Sequence, residues 1–156
     1  MGTVVPKTRI GQQLVDAGYI DDAQLEVAVA HQRKWGGRLG DAVVALRFMS
    51  EPALLCEVAR QHGVLYVELG HDKLPETVLH LLPERLIRER RVLPMGVGPD
   101  PQSGPLFLAT SEPQNRVVLD EVAFASGMKV RPVLASEGDI IRAIERHLGP
   151  EVKTLA

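Results

Sequence analysis

The chain has 156 residues, 45% of them apolar and 24% charged, with 18 basic against 20 acidic residues and a formal net charge of −2. That is globular composition, and its charge balance argues against duplex binding driven by neutralising many phosphates at once. One cysteine excludes an internal disulfide, and no apolar run approaches a membrane span, so a cytoplasmic protein without direct membrane insertion is expected.

From Arg9, "RIGQQLVDAG" carries apolar residues at helical spacing up to Gly18, a natural left-handed stop. Asp21 reads as the N-cap of a second helix, with Gln24 completing a capping box, and that helix is expected to end near Gln32, before "KWGG". Arg38 to Arg47 form a third helix; Ser50 caps a fourth, with Pro52 in its first turn and Gly63 at its end. Then the period changes. "VLYVEL" (64–69) has strand composition, and "PETVLHLLPERLIRERR" (75–91) reads as two short helices hinged at Pro83. "VLPMGVG" (92–98) and "PLFLAT" (105–110) read as strands joined by the turn-rich "PDPQSG". A helix over about 115–126 stops at Gly127, "KVRPVLA" (129–135) is a strand whose proline suggests an edge, and Ser136 caps a last helix over 137–148. The expected fold is α+β: a helical unit of two tandem helix pairs (1–63), then a small α/β unit (64–156) with a three- to four-stranded sheet.

The two helix pairs are related in sequence. At an offset of 29, segments 9–32 and 38–61 coincide at seven of 24 positions: Arg9/Arg38, Gly11/Gly40, Val15/Val44, Leu25/Leu54, Val29/Val58, Ala30/Ala59 and Gln32/Gln61. Ile10/Leu39, Leu14/Val43, Tyr19/Phe48 and Ile20/Met49 are conservative pairs. The apolar matches follow from helical packing alone. A repeated Arg, Gly and Gln do not. Glycine in a first turn costs about 1 kcal/mol against alanine unless something must approach the backbone closely. Each set offers a planar cation to stack on a base, backbone N–H groups for phosphate, and an amide for a base edge. Two such sets suit a ligand with two bases and two phosphates, a cyclic dinucleotide.

The doubled pattern R-L-G-x-x-[LVI]-[LVI]-x-x-G-x-[LVI]-x4-L-x3-[LVI]-x2-Q, with a five-residue spacer "RKWGG", resembles that of MshEN-type domains. These are N-terminal domains of type II secretion and type IV pilus assembly ATPases, and they bind cyclic di-GMP. Arg9, Ile10, Gly11, Leu14, Val15, Gly18, Ile20, Leu25, Val29 and Gln32 fall on the first copy. Arg38, Leu39, Gly40, Val43, Val44, Met49, Leu54, Val58 and Gln61 fall on the second. "LPERLIRERRVLPMGV", "LFLATSEPQN" and the stretch to residue 148 are similar to the rest of that domain. One departure stands out: Arg47 occupies a motif glycine, and a left-handed position disfavours arginine, so a distorted or strained turn is expected there.

The resemblance implies a non-catalytic receptor that signals to a secretion or pilus system, with cyclic di-GMP as ligand and no cofactor. Arg9 and Arg38 would engage guanine, and Gly11 and Gly40 would admit phosphate or ribose. Leu14, Val15, Val43 and Val44 would form an apolar bed, and Gln32 and Gln61 would complete the polar contacts. Gly18, Leu25, Val29, Leu39, Leu54 and Val58 complete the expected site. Its protein partner would be a secretion or pilus ATPase or platform protein, and DNA is not expected. No Gly-Lys pair occurs, so the chain lacks the phosphate loop of those ATPases; it is a piece of a longer protein or a free-standing version. The rival reading is a docking module of the same machines that no longer binds nucleotide. "GVGPDPQSG" is too irregular for a dinucleotide fold, and the five histidines show no metal spacing. Cys56 reads as core, "ERLIRERR" as a solvated helix end, and Trp35 as either packing or a lid over the ligand.

Overall fold

The computed structural model describes residues 9–70, 73–100 and 104–150, with Arg9 described through its backbone alone. The segment before Arg9, His71, the tip of "PDPQSG" and the tail beyond Pro150 lie outside the described residues. Two compact units divide the chain, one through Gly63 and one from Val64.

The first unit holds α1 (Arg9–Asp16), α2 (Asp22–Trp35), α3 (Leu39–Ala45) and α4 (Glu51–His62). Asp21 caps α2 reciprocally: its Oδ1 accepts from Gln24 N–H at 2.7 Å, and its own N–H donates to Gln24 Oε1 at 2.9 Å. Ser50 Oγ accepts from Ala53 N–H at 3.3 Å to start α4, and Gly63 ends it at φ +66°. α2 runs to Trp35 rather than Gln32, because Arg33 and Lys34 sustain a helix and suit its negative C-terminal end, leaving Gly36 to stop it.

Each short helix enters its partner through the same turn. Gly18 at φ +84° donates to Val15 O at 3.0 Å, and Tyr19 N–H to Leu14 O at 3.0 Å. Arg47 at φ +61° donates to Val44 O at 2.9 Å, and Phe48 N–H to Val43 O at 3.0 Å. The arginine turn is therefore undistorted, and what arginine adds is the steric penalty of its Cβ in the left-handed region. Helix α1 packs on α4 and α2 on α3, so exchanging the two copies leaves the pairing pattern unchanged. Leu14, Ile20, Ala28, Leu39, Ala42, Val43, Met49 and Leu54 fill a core of their own. Cys56 is not in it. Leu54 and Glu57 take the inward stripe of α4, and two residues beyond Leu54 the helix has turned through about 200°, leaving Cys56 exposed.

The second unit runs α5 (Glu76–Leu79), α6 (Glu84–Arg90), β1 (Leu93–Asp100), β2 (Gly104–Thr110), α7 (Arg116–Ser126), β3 (Val130–Leu134) and α8 (Glu137–Leu148). Its sheet is three-stranded and mixed, in the order β1-β2-β3. β1 and β2 pair antiparallel, Leu93 opposite Ala109, and β2 and β3 pair parallel, Leu106 opposite Val130. Leu106, Leu108, Val122, Ile87 and Ile140 lie at the bottom of the core.

Segment 64–69 makes only one bridge, Tyr66 to Leu134, through Val67 N–H to Leu134 O and Leu134 N–H to Leu65 O, both 2.8 Å. The ladder stops there for a local reason. Ala135 N–H turns inward to Thr110 O, so the next outward-facing nitrogen back along β3 is that of Pro132, which has no hydrogen to donate.

The stretch "ERLIRERR" is a clamp rather than a solvated end. Arg88, with its side chain 18% exposed, donates through Nη2 to Leu148 O at 2.8 Å and Gly149 O at 2.9 Å, the open carbonyls at the end of α8. Arg90 pairs with Glu121 of α7, and Arg91 with Glu137 of α8 at 2.6 Å. His147 is likewise internal: Nδ1 lies 2.9 Å from Ala143 O and must donate, so Nε2 is the acceptor for Leu74 N–H at 2.9 Å.

Candidate functional site

In the helical unit the repeated residues separate by exposure. Leu14 and Val43 have no exposed surface, and Leu39 and Leu54 are 4% and 6% exposed, so these four hold the core. Ile10, Val15, Leu25, Val29, Val44 and Val58 are half-buried around it and supply the apolar surface that a ligand can reach.

The two glycines serve packing. A Cβ on Gly11 would stand 2.7 Å from Leu25 Cδ1 and 2.9 Å from Leu39 Cδ2. A Cβ on Gly40 would stand 2.8 Å from Leu54 Cδ2. In each copy the leucine of the longer helix thus seats directly on the glycine of the shorter one. This close approach accounts for both glycines without a ligand, and it draws each short helix against its partner.

Arg38 is the N-cap of α3, is exposed, and donates its backbone N–H to Asp41 Oδ2 at 3.1 Å. Arg9, at the matching repeat position, is the first residue of α1. Gln32 Nε2 donates to Gly37 O at 3.1 Å, folding the spacer back on the end of α2, whereas Gln61 is exposed. The spacer thus carries the chain directly from the last residue of the first copy to the first of the second. Trp35, in between, is 69% exposed and is no part of the core.

The copies differ inside. Ala28 and Ala42 are buried in α2 and α3, while at the same repeat positions α4 and α1 carry Glu57 and Gln13. Glu57 is 4% exposed and takes Gln13 Nε2 at 2.8 Å on Oε2 and, at 2.8 Å, on its backbone oxygen. Arg60 Nη2 lies 3.8 Å from its other oxygen. Reading the matches alone passes over this pair. The signal was an acid standing where the first copy has an alanine.

Among the described residues no group of three or more His, Cys, Asp or Glu side chains is arranged to hold a metal ion, and no helix is long and apolar enough to cross a membrane.

The model of the MshEN domain family matches residues 62–154. This chain belongs to the MshEN domain family. The family model covers the α/β unit, and full-chain comparisons carry the likeness across the helical unit. This MshEN domain is 30% identical over 151 residues to the type IV pilus assembly ATPase PilB of Myxococcus xanthus, covering 94% of the chain and 26% of that relative. It is 28% identical over 139 residues to PilB of Thermus thermophilus, covering 89% of the chain and 15% of the relative. The chain thus spans about a quarter or less of those ATPases. Among solved structures it superposes on MshE with cdg at a TM-score of 0.75 and 30% identity, over 89% of this chain and 98% of that one. The N-terminal domain of XpsE shares the fold at a TM-score of 0.64 and 24% identity, over 94% of this chain and 99% of that one.

Proposed function

We propose that this MshEN domain is a receptor for cyclic di-GMP, the cdg of the MshE structure, with the doubled motif over 9–32 and 38–61 as its binding surface. The observation that carries this reading is the likeness to MshE with cdg over nearly the whole of both chains, joined to a motif that recurs in its Arg, first-turn Gly and Gln, with Arg47 in place of the second glycine of the second copy. In this reading Arg9 and Arg38 engage the guanines, and the half-buried Ile10, Val15, Val44, Leu25, Val29 and Val58 give the apolar floor. Leu14, Val43, Leu39, Leu54, Gly11 and Gly40 set that floor's shape from beneath, Gly18 gives the turn, and Gln32 and Gln61 supply amides at the rim. No reaction is assigned to the chain. Its output is a type IV pilus or type II secretion ATPase in the cytoplasm; its PilB relatives are type IV pilus assembly ATPases.

Calorimetric titration with cyclic di-GMP, with GTP and cyclic di-AMP as controls, tests the reading. Selective binding is expected, weakened about five- to 150-fold by Arg38→Ala with the helical circular dichroism unchanged, since a stacked base contact is worth about 1–3 kcal/mol. Absence of heat from the folded protein refutes it. A second reading, a docking module for the same machines, is favoured by Phe124 and Val117, 91% and 62% exposed on α7. It expects a purified pilus ATPase to bind this chain, and Phe124→Asp to abolish that binding.

A further inference from the structure

Trp35 is the single tryptophan of the chain, and it lies open to solvent between the two motif copies. Tryptophan normally hides most of its large apolar surface, and an indole left 69% exposed adds little to the stability of the fold. Among the described residues, the ring contacts of Trp35 are with its own helix. The His31 ring, one turn back, sits 6.3 Å away at 43°, packed inward so far that its Nδ1 is buried without a partner. The Lys34 ammonium lies 5.3 Å from the indole centroid. No core residue covers the ring.

The surroundings are cationic. From His31 to Asp41 the chain carries Arg33, Lys34 and Arg38, all exposed, against one carboxylate, Asp41, which is held on the Arg38 N–H. The Gln32 to Gly37 bond folds this stretch tightly, so the indole stands beside both the end of the first motif and the start of the second. An exposed aromatic ring among solvated cations suits a planar aromatic anion, the base stacking on the ring and the phosphate meeting the cations.

We propose that Trp35 stacks on one guanine of the bound cyclic dinucleotide, with Lys34 turned from the indole to the adjacent phosphate. This rests on the receptor reading above and adds to it a residue outside the repeated pattern. It also makes the site unequal in its two halves: the residue at the matching offset of 29 is Val64, which has no ring to offer. One base is stacked by an indole and the other is not.

The single tryptophan makes the test direct, because all tryptophan emission comes from the residue in question. Titration of the whole chain with cyclic di-GMP is followed by fluorescence and calorimetry in parallel. The expected result is a change in indole emission that saturates along the calorimetric isotherm. Trp35→Ala is expected to weaken binding by about ten- to a hundredfold and Trp35→Phe to restore most of it, as loss and partial recovery of one base stack require. The ring is exposed, so both variants keep the fold, and circular dichroism checks this. Calorimetric binding with unchanged emission, and with unchanged affinity in Trp35→Ala, overturns the role of Trp35 while the receptor reading stands. No binding by the parent chain overturns both.

Discussion

Arg47 holds a backbone conformation that its side chain does not favour. At φ +61° it closes the α3 turn with the same two hydrogen bonds that Gly18 makes after α1, so the chain tolerates the substitution by storing strain rather than by rearranging. A non-glycine residue in this region costs roughly 1–2 kcal/mol, and glycine returns part of that through its freer unfolded chain. Arg47→Gly should therefore raise the stability of the protein by about 0.5–1 kcal/mol. In urea this reads as a higher midpoint at unchanged slope. A lower midpoint would mean that the guanidinium makes a compensating contact. Gly11 and Gly40 have the opposite origin: their φ is ordinary, and what excludes a side chain is a leucine methyl less than 3 Å from where the Cβ would stand.

Between elements, the α1·α4 and α2·α3 interfaces occupy equivalent places and solve them differently. One is closed by Ala28 and Ala42, the other by the Gln13 amide on the buried Glu57 carboxylate. A buried acceptor that loses its donor costs about 1–3 kcal/mol, whereas removing both partners removes the unmet demand. Gln13→Ala is thus expected to destabilise the protein by about 1–3 kcal/mol. The double variant Gln13→Ala/Glu57→Ala, which copies the other interface, should lose at least about 1 kcal/mol less than the sum of the two single variants. Denaturant unfolding of the four proteins measures this coupling, and strict additivity would show the pair to be independent. In the α/β unit Arg88 plays the comparable part, meeting the carbonyls that α8 leaves open.

For the molecule as a whole, the chain is two units with two separate cores, one around Leu14 and Val43 and one around Leu106 and Ile140. A ligand that binds only the folded helical unit must stabilise that unit by mass action, by about 2.7 kcal/mol at a hundred times its dissociation constant. Cyclic di-GMP at that level is therefore expected to slow the globally exchanging amides of α1 to α4 about a hundredfold. Binding without added protection in these helices would locate the ligand elsewhere on the chain.

Most element ends were legible because they are written locally: Asp21 with Gln24, Ser50 with Pro52, Ser136, and glycines at the helix ends are caps that need no tertiary context. The repeat was legible too, since identity at a fixed offset is a property of the chain alone. The uses of the repeated residues were not. That Gly11 and Gly40 seat leucines, that Leu14 and Val43 are sealed while Val15 and Val44 are reachable, and that Cys56 faces outward all depend on which helix packs on which. The arginines of "ERLIRERR" found partners on α7 and α8 across long sequence separations, and 64–69 stopped at one bridge because a proline nitrogen, not its own composition, ended the ladder. Periodicity and capping are short-range and therefore marked most helices and their caps, but not the end of α2 or the single bridge of 64–69. Exposure and pairing are decided by contacts between residues distant in the chain, and only the folded chain brings those together.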